Sequence, residues 1–149
     1  MSERNIAKIF PGLLESGYAI TSPSTPNYNC IAWAAKETNA WWWPDPQYLY
    51  YWPPDVPRTE TLEAFIKAYR KLGYAPCFDA NYEDGFEKVA IYTGSNGKPT
   101  HAARQLGNGY WTSKLGTLED IEHATLDSLF GTSYGNVVVI LKRPKNNMP

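Results

Sequence analysis

The segment WWWPDPQYLYYWPPDVP, residues 41–57, restricts the fold more than any other part of the sequence. It holds four of the six tryptophans, three tyrosines and five prolines. Proline fixes φ and lacks a main-chain N–H, so this segment cannot form a regular helix or a central strand. That much ring surface would cause aggregation if it were exposed. We therefore predict an ordered aromatic loop that packs against the rest of the domain.

The segment PSTPNYNC, residues 23–30, brings a cysteine to the start of a predicted helix. Proline, serine and asparagine favour turns and helix caps, and Asn27 or Asn29 is the candidate N-cap. The residues CIAWAAKE that follow are good helix formers, which predicts a helix from Cys30 to about Asn39. A helix start and a nearby imidazole both favour a thiolate, so Cys30 is a candidate nucleophile. Burial as a small apolar residue is the alternative role.

Two later segments have helical periodicity. TETLEAFIKAYRKLGY, residues 59–74, has Thr59 or Thr61 as its N-cap, and GTLEDIEHATLDSLFG, residues 116–131, has Thr117 and Asp120 spaced like a capping box. Strand patterns occur in KVAIYTG, THAARQL, YWTSKL and GNVVVILKRP, and the last of these is apolar enough to be central. The middle two form a hairpin whose turn contains Asn-Gly. This order of elements predicts a single α+β domain over residues 1–149 with an antiparallel sheet.

Charge and cysteine content argue against several classes of protein. The formal net charge is -1 and the basic residues are scattered, so we expect no nucleic-acid partner. MSERNIAKIF lacks the apolar segment of a signal peptide, and no apolar run could cross a bilayer. We expect a cytoplasmic protein without a membrane partner, with export by a signal-independent route as the alternative. The two cysteines and two histidines lack zinc-site spacing, so we expect neither a metal nor a disulfide.

His101 is the candidate general base for Cys30. It begins a predicted strand after the GKP turn, where a side chain can project toward a helix packed on the sheet. His123 is less suitable, because it lies inside the second amphipathic segment. A structural histidine bonded to a carbonyl is the alternative role for His101.

The stretches NYNCIAWAA and KVAIYTGSNGKPTHAARQLGNGYWTSKLG together resemble the papain-like cysteine hydrolases, especially their compact NlpC-type branch. In that branch a cysteine opens the nucleophile helix and a histidine lies at the start of a hairpin strand. The resemblance covers about residues 27–115 and implies a papain-like α+β domain, with an N-terminal nucleophile helix packed on a small antiparallel sheet. The chain as a whole also resembles a bacterial family of small proteins, which implies no particular activity.

The resemblance implies a Cys-His dyad or triad. Cys30 would attack a carbonyl carbon, His101 would accept and return the proton, and a polar residue on the next strand would hold the imidazole. Ser113 is our candidate for that third residue, because it lies an even number of positions after His101 along the hairpin. Glu119 and Asp120 are the alternatives.

The implied activity is that of a thiol hydrolase or acyltransferase. The bond would be an amide, isopeptide or related acyl bond in a peptide, a protein or a peptidoglycan-like substrate, and no cofactor is needed. The oxyanion would accept from the Cys30 N–H and from Asn27 or Asn29, while Trp42 and Trp43 would line the groove. The sequence leaves the choice among protease, deamidase, amidase and acyltransferase open, and the oligomeric state as well.

The alternative is a non-catalytic interaction module of the same fold. It would bind a peptide or a glycan through the aromatic loop from Trp41 to Pro54, because rigid rings provide contact area at low cost in conformational entropy.

Overall fold

The computed structural model describes residue 6 and residues 8–131 and 133–145 of the 149-residue chain. Its largest element is a seven-stranded sheet in which all paired strands are antiparallel. The helices are α1 Gly12–Ser16, α2 Cys30–Ala34 and α3 Leu62–Arg70. The strands are β1 Tyr18–Ser22, β2 Ala75–Cys77, β3 Phe86–Thr93, β4 Pro99–Gln105, β5 Trp111–Lys114, β6 Asp120–His123 and β7 Asn136–Pro144. A short 3-10 helix, Leu126–Leu129, lies between β6 and β7.

The strands follow the order β1-β6-β5-β4-β3-β7-β2 across the sheet. β4 and β5 form the predicted hairpin, and the Gly109 N–H donates to the Leu106 carbonyl oxygen at 3.0 Å in its turn. β7 lies between β3 and β2, so the prediction that this apolar segment forms an interior strand is confirmed.

Apolar side chains cover both faces of the sheet. The α2 cluster lies on one face and includes Cys30 of α2, Phe65 of α3 and Ile91 of β3. The α1 cluster lies on the other face and includes Leu13 of α1 and Tyr92 of β3. Successive residues of a strand point to opposite faces, so β3 supplies both clusters and is buried on both sides.

The predicted fold class is wrong. We expected a papain-like α+β domain with a nucleophile helix on a small sheet, whereas the structure is a β-rich fold in which a seven-stranded antiparallel sheet is accompanied by few, short helices. Helix α2 has five residues and ends at Ala34, well before Asn39. The backbone leaves the helical region at Lys36, whose φ is 67°.

The predicted helix over residues 116–131 is also wrong. This segment forms β6 and the 3-10 helix, and β6 pairs with β5 on one side and with β1 on the other. Pairing on both sides outweighs the helical periodicity, because strand formation depends on neighbours that are distant in the sequence. Asp120 lies in a strand and accepts a hydrogen bond from the Tyr28 hydroxyl at 2.7 Å, so the capping-box prediction fails with the helix.

Both N-caps of the remaining predicted helices are found. The Asn29 side chain accepts from the Ala32 N–H at 3.2 Å, and the Thr61 side chain accepts from the Ala64 N–H at 3.2 Å. Across the described ranges, no helix has the length and apolar character that a bilayer span requires.

Candidate active site

Cys30 is the first residue of α2 and lines a cleft of about 340 Å³. Half of the lining residues are aromatic. Three of the rings belong to the aromatic loop and the fourth comes from the segment before β7: Trp41, Trp43, Tyr50 and Tyr134. Asn29, Thr100 and Gly116 complete the lining, so this wall carries no charged side chain. We call this cavity the aromatic cleft.

Asn29 joins the aromatic loop to the start of α2. Its Oδ1 accepts from the Ala32 N–H and from the Trp42 N–H at 3.0 Å, and its Nδ2 donates to the Trp42 carbonyl oxygen at 2.7 Å. These bonds use one of the two amide hydrogens of Asn29, which is part of the cleft wall. Asn27, the other candidate oxyanion donor, is exposed and is not part of the cleft wall.

The two predicted groove tryptophans have different environments. Trp43 lines the cleft, and its ring also contacts Phe65 edge-on with a centroid distance of 5.3 Å. Trp42 is buried in the α2 cluster and packs on Tyr51 at 4.9 Å. Trp42 is therefore a core residue, whereas Trp43 forms part of the cleft surface.

An ion pair gives the aromatic loop its shape. The Asp45 carboxylate accepts from the main-chain N–H groups of Leu49 and Tyr50 at 2.7 and 3.0 Å. Arg58 donates to the Asp45 carboxylate and carbonyl and to the Tyr50 carbonyl, and its guanidinium lies over the Tyr48 ring. Tyr50 is thus fixed before any ligand enters the cleft.

The Cys30 thiol is neutral at physiological pH. Burial raises its pKa to about 11, although hydrogen bonds from the main-chain N–H groups of Ala102, Ile31 and Cys30 itself and the charge of Lys114 act in the opposite direction. Only 6% of the residue is exposed. A base must therefore remove the proton when the thiol reacts.

The effect of the Ala102 main chain on the Cys30 pKa indicates that the thiol lies near β4. β4 pairs with β5 only at Arg104 and Gln105, so Ala102 has no ladder partner on β5. The Cys30 thiol therefore lies close to the main chain of β4, at a residue that is unpaired on its β5 side. His101 directly precedes Ala102 in β4.

His101 is fully buried between two tyrosines. Its ring stacks on Tyr134 with a centroid distance of 4.0 Å and meets Tyr92 edge-on at 5.2 Å. His101 Nε2 lies 2.9 Å from Ser113 Oγ, which is the partner that the hairpin parity predicts. Burial, with a contribution from His123, holds the pKa of His101 well below its usual range, so the imidazole is neutral. Its Nδ1 has no hydrogen-bond partner among the described residues.

Tyr134 links the two candidate catalytic residues. Its ring lines the aromatic cleft beside Cys30 and also covers the His101 ring, which belongs to the face of the α1 cluster. Thr100 donates from Oγ1 to the Tyr134 carbonyl oxygen and so ties this segment to β4. Direct contact between the Cys30 thiol and the His101 imidazole stays a prediction.

His123 belongs to the same hydrogen-bonded group, although the predicted helix made it the less suitable histidine. Ser113 Oγ lies 2.8 Å from His123 Nε2, and His123 Nδ1 lies 2.8 Å from the Thr125 carbonyl oxygen. The helical assignment hid this contact, since alternation along β6 would have placed His123 on one face with Ile121 and beside β5. The alternatives Glu119 and Asp120 make no hydrogen bond to His101 within the described structure.

Neither cysteine is in a disulfide, and the described residues contain no group of three His, Cys, Asp or Glu side chains that could hold a metal ion.

The comparisons with known proteins identify the family but not an activity. A model described as a domain of unknown function, DUF7689, matches residues 19–142, and the chain belongs to this family. No curated protein and no solved structure shows significant similarity to the chain. The matched range includes Cys30, His101, Ser113 and His123.

Proposed function

We propose that this member of the DUF7689 family is a thiol hydrolase or acyltransferase that uses Cys30 as nucleophile and His101 as base. One observation carries the proposal: His101 Nδ1 is a buried ring nitrogen without a hydrogen-bond partner in the described part of the chain, and its ring adjoins Tyr134 in the wall that also contains Cys30. Unpaired buried polar atoms are costly, and a catalytic role is one explanation for them.

The chemistry is proton transfer coupled to acyl transfer. The Cys30 proton moves to His101 Nδ1 as the sulfur attacks the substrate carbonyl, and the carbonyl electron pair moves to oxygen. Collapse of this intermediate expels the leaving group, which takes the proton from Nδ1. Water or another acceptor then loses a proton to Nδ1 while it attacks the acyl-enzyme, and the thiol regains that proton on release.

The oxyanion has two candidate donors in the cleft. The main-chain N–H of Cys30 belongs to the first turn of α2, where it lacks an acceptor within the helix. Asn29 has the second amide hydrogen described above. Fixed donors of this kind stabilise the charge that develops on the carbonyl oxygen.

The lining of the cleft restricts the substrate class. Four aromatic rings and no charged side chain line the cleft, which favours an uncharged acyl group with apolar or aromatic character. We therefore propose a substrate whose acyl portion is apolar and whose carbonyl reaches Cys30 at the bottom of the cleft.

Acylation by p-nitrophenyl phenylacetate tests the proposal. The expected result is a burst of p-nitrophenolate and an adduct on Cys30, measured by peptide mass spectrometry, with a weaker burst from p-nitrophenyl acetate. Cys77→Ser is the matched control and should retain the burst, because Cys77 lies outside the cleft. Cys30→Ser and His101→Phe should lose it. Adducts confined to Cys77, or equal bursts with and without His101, would contradict the proposal.

A binding module remains the second candidate, and the resting state of the thiol favours it. Cys30 is almost wholly buried with a pKa of about 11, as expected for an apolar packing residue. The preformed aromatic cleft would then bind an apolar group without reacting with it. Saturable binding of phenylacetamide, seen as a change in tryptophan fluorescence, together with no adduct on Cys30, would support this function.

A further inference from the structure

We infer that His123 is a positioning residue that acts through Ser113 to keep the proton of His101 on Nε2 and the lone pair on Nδ1. The four groups form one continuous chain of hydrogen bonds: His101 Nε2, Ser113 Oγ, His123 and the Thr125 carbonyl oxygen. In this chain of hydrogen bonds the donor and acceptor of each bond are determined, and they follow from the chemistry of the last member.

The Thr125 carbonyl oxygen determines which nitrogen of His123 carries a hydrogen. A carbonyl oxygen only accepts, so the bond of 2.8 Å requires that His123 Nδ1 carries a hydrogen. A neutral imidazole with a hydrogen on Nδ1 has its lone pair on Nε2. His123 Nε2 therefore accepts the hydrogen of the Ser113 hydroxyl.

The Ser113 hydroxyl in turn determines which nitrogen of His101 carries a hydrogen. A hydroxyl has one hydrogen, and His123 takes it, so Ser113 Oγ can only accept from His101. His101 Nε2 must then carry the hydrogen, which leaves the lone pair on Nδ1. That nitrogen is the one without a partner.

His123 accepts from Ser113 only when its imidazole is neutral, and its surroundings meet this condition. The residue is fully buried, and its polar contacts are a hydroxyl and a carbonyl rather than a carboxylate. Burial lowers its pKa to about 4, with the Thr125 bond acting in the opposite direction. At neutral pH the hydrogens of this hydrogen-bond chain therefore have only one possible arrangement.

The arrangement has a chemical consequence that rests on the proposed function. When Nδ1 accepts a proton, the positive imidazolium keeps its Nε2–H on Ser113 Oγ, which has no hydrogen pointing toward it. Without His123 the hydroxyl could turn its hydrogen to Nε2 and move the His101 proton to Nδ1, which would occupy the base. The tautomer itself does not depend on whether the protein is an enzyme.

Nitrogen-15 NMR of the imidazoles tests the inference directly. The chain has two histidines, so the wild-type spectrum contains two ring systems, and His123→Gln, which should leave the His101 tautomer unchanged, identifies that of His101. In the wild-type protein at pH 7 we expect a protonated Nε2 and an unprotonated Nδ1 for His101. A hydrogen on His101 Nδ1 would overturn the inference.

The variants test whether His123 is responsible. In His123→Phe we expect a substantial fraction of His101 with the hydrogen on Nδ1, while His123→Gln, whose carbonyl can accept from Ser113, should restore the wild-type spectrum. If His123→Phe does not fold, Ser113→Ala takes its place and should give a tautomer mixture at His101. An unchanged His101 spectrum in the folded variants would overturn the positioning role. The confirmed tautomer together with no acyl adduct on Cys30 would disprove the proposed function alone.

Discussion

His101 and His123 illustrate what burial does to a single residue. Both side chains are fully buried and neutral, and their hydrogen bonds go to Ser113 and Thr125 rather than to an acid. Protonation would place a charge in a site without an anionic partner. The same feature that fixes the hydrogen-bond chain should therefore make the fold sensitive to acid.

We predict that the free energy of unfolding falls as the pH is lowered from about 6.5 to 4. The pKa of His123 is lowered from 6.5 to about 4 in the folded protein. The unfolded chain thus binds the proton first, so the stabilisation is complete above pH 6.5 and is lost as the pH falls through 4. Protonation of His123 alone should lower the free energy of unfolding by roughly 3 kcal/mol over this range. Urea titrations at several pH values measure it, and His123→Gln should flatten the profile in this range; an equally steep profile in the variant would contradict the assignment.

We predict that Cys77 reacts with iodoacetamide faster than Cys30 at pH 7 in the free protein. Burial keeps Cys30 protonated with a pKa of about 11, whereas Cys77 is partly exposed at the sheet edge. The rate at Cys30 should still be rising at pH 10, because only the thiolate reacts. Peptide mass spectrometry of timed samples separates the two thiols. Faster labelling of Cys30 at pH 7 would show a stabilised thiolate and would rule out the neutral resting state.

Single residues were predictable to different degrees. Asn29 as an N-cap and Ser113 as the His101 partner follow from local rules, namely cap preference and the alternation of side chains along a hairpin. Tyr134 reaches the site from a segment far along the chain from His101, which no local pattern encodes. His123 was missed because the segment that forms β6 was predicted to be a helix, although β6 pairs with the neighbouring strand β5. The thiol pKa depends on burial and so could not be anticipated from the position of Cys30 at a helix start.

At the level of elements, the segment that carries Tyr134 depends on one glycine. Gly135 has a φ of 76°, and a Cβ there would lie 2.0 Å from the Thr93 carbonyl oxygen. This close contact with β3 sets the course of the chain that places Tyr134 over His101. Position 135 therefore requires glycine both because there is no room for a Cβ and because φ is positive.

We predict that Gly135→Ala lowers the free energy of unfolding by about 2 to 5 kcal/mol, from the left-handed backbone and the steric clash together. Gly97→Ala is the matched control, because its φ is 78° and no atom lies within 4 Å of the added Cβ. It should cost only about 1 to 2 kcal/mol. Thermal melts of both variants give the comparison. Equal losses would mean that the contact with Thr93 does not restrain the segment.

The elements themselves divide by the range of the interactions that form them. Helix α3 was predictable because Thr61, an apolar stripe and Gly73 all act within one stretch of sequence. β6 was not, because its strand state depends on β1 and β5, and β1 lies about a hundred residues earlier. The fold class was wrong for the same reason, since three of the seven strands, β1, β2 and β6, were not recognised from local patterns.

At the scale of the whole molecule, an open seven-stranded sheet must protect two edges from pairing with other chains. One edge is β2, a strand of three residues with Pro76 at its centre, where it pairs with Leu141 of β7. Proline in a sheet occurs at edges, where the missing N–H faces solvent. The next residue after β2 is Phe78, whose side chain is fully exposed. At this edge Pro76 hinders pairing with another strand, whereas the exposed Phe78 would favour association.

We predict that Pro76→Thr increases self-association relative to the wild-type protein. The substitution restores a main-chain N–H at the free edge and adds a residue that favours strands, so a second chain could extend the sheet next to Phe78. Sedimentation velocity at several protein concentrations measures the change. The double variant Pro76→Thr, Phe78→Ser keeps the repaired edge but removes the exposed ring, and it should associate less than the single variant. If Pro76→Thr sediments as the wild-type protein does at every concentration, the short length of β2 protects this edge and Pro76 has no such role.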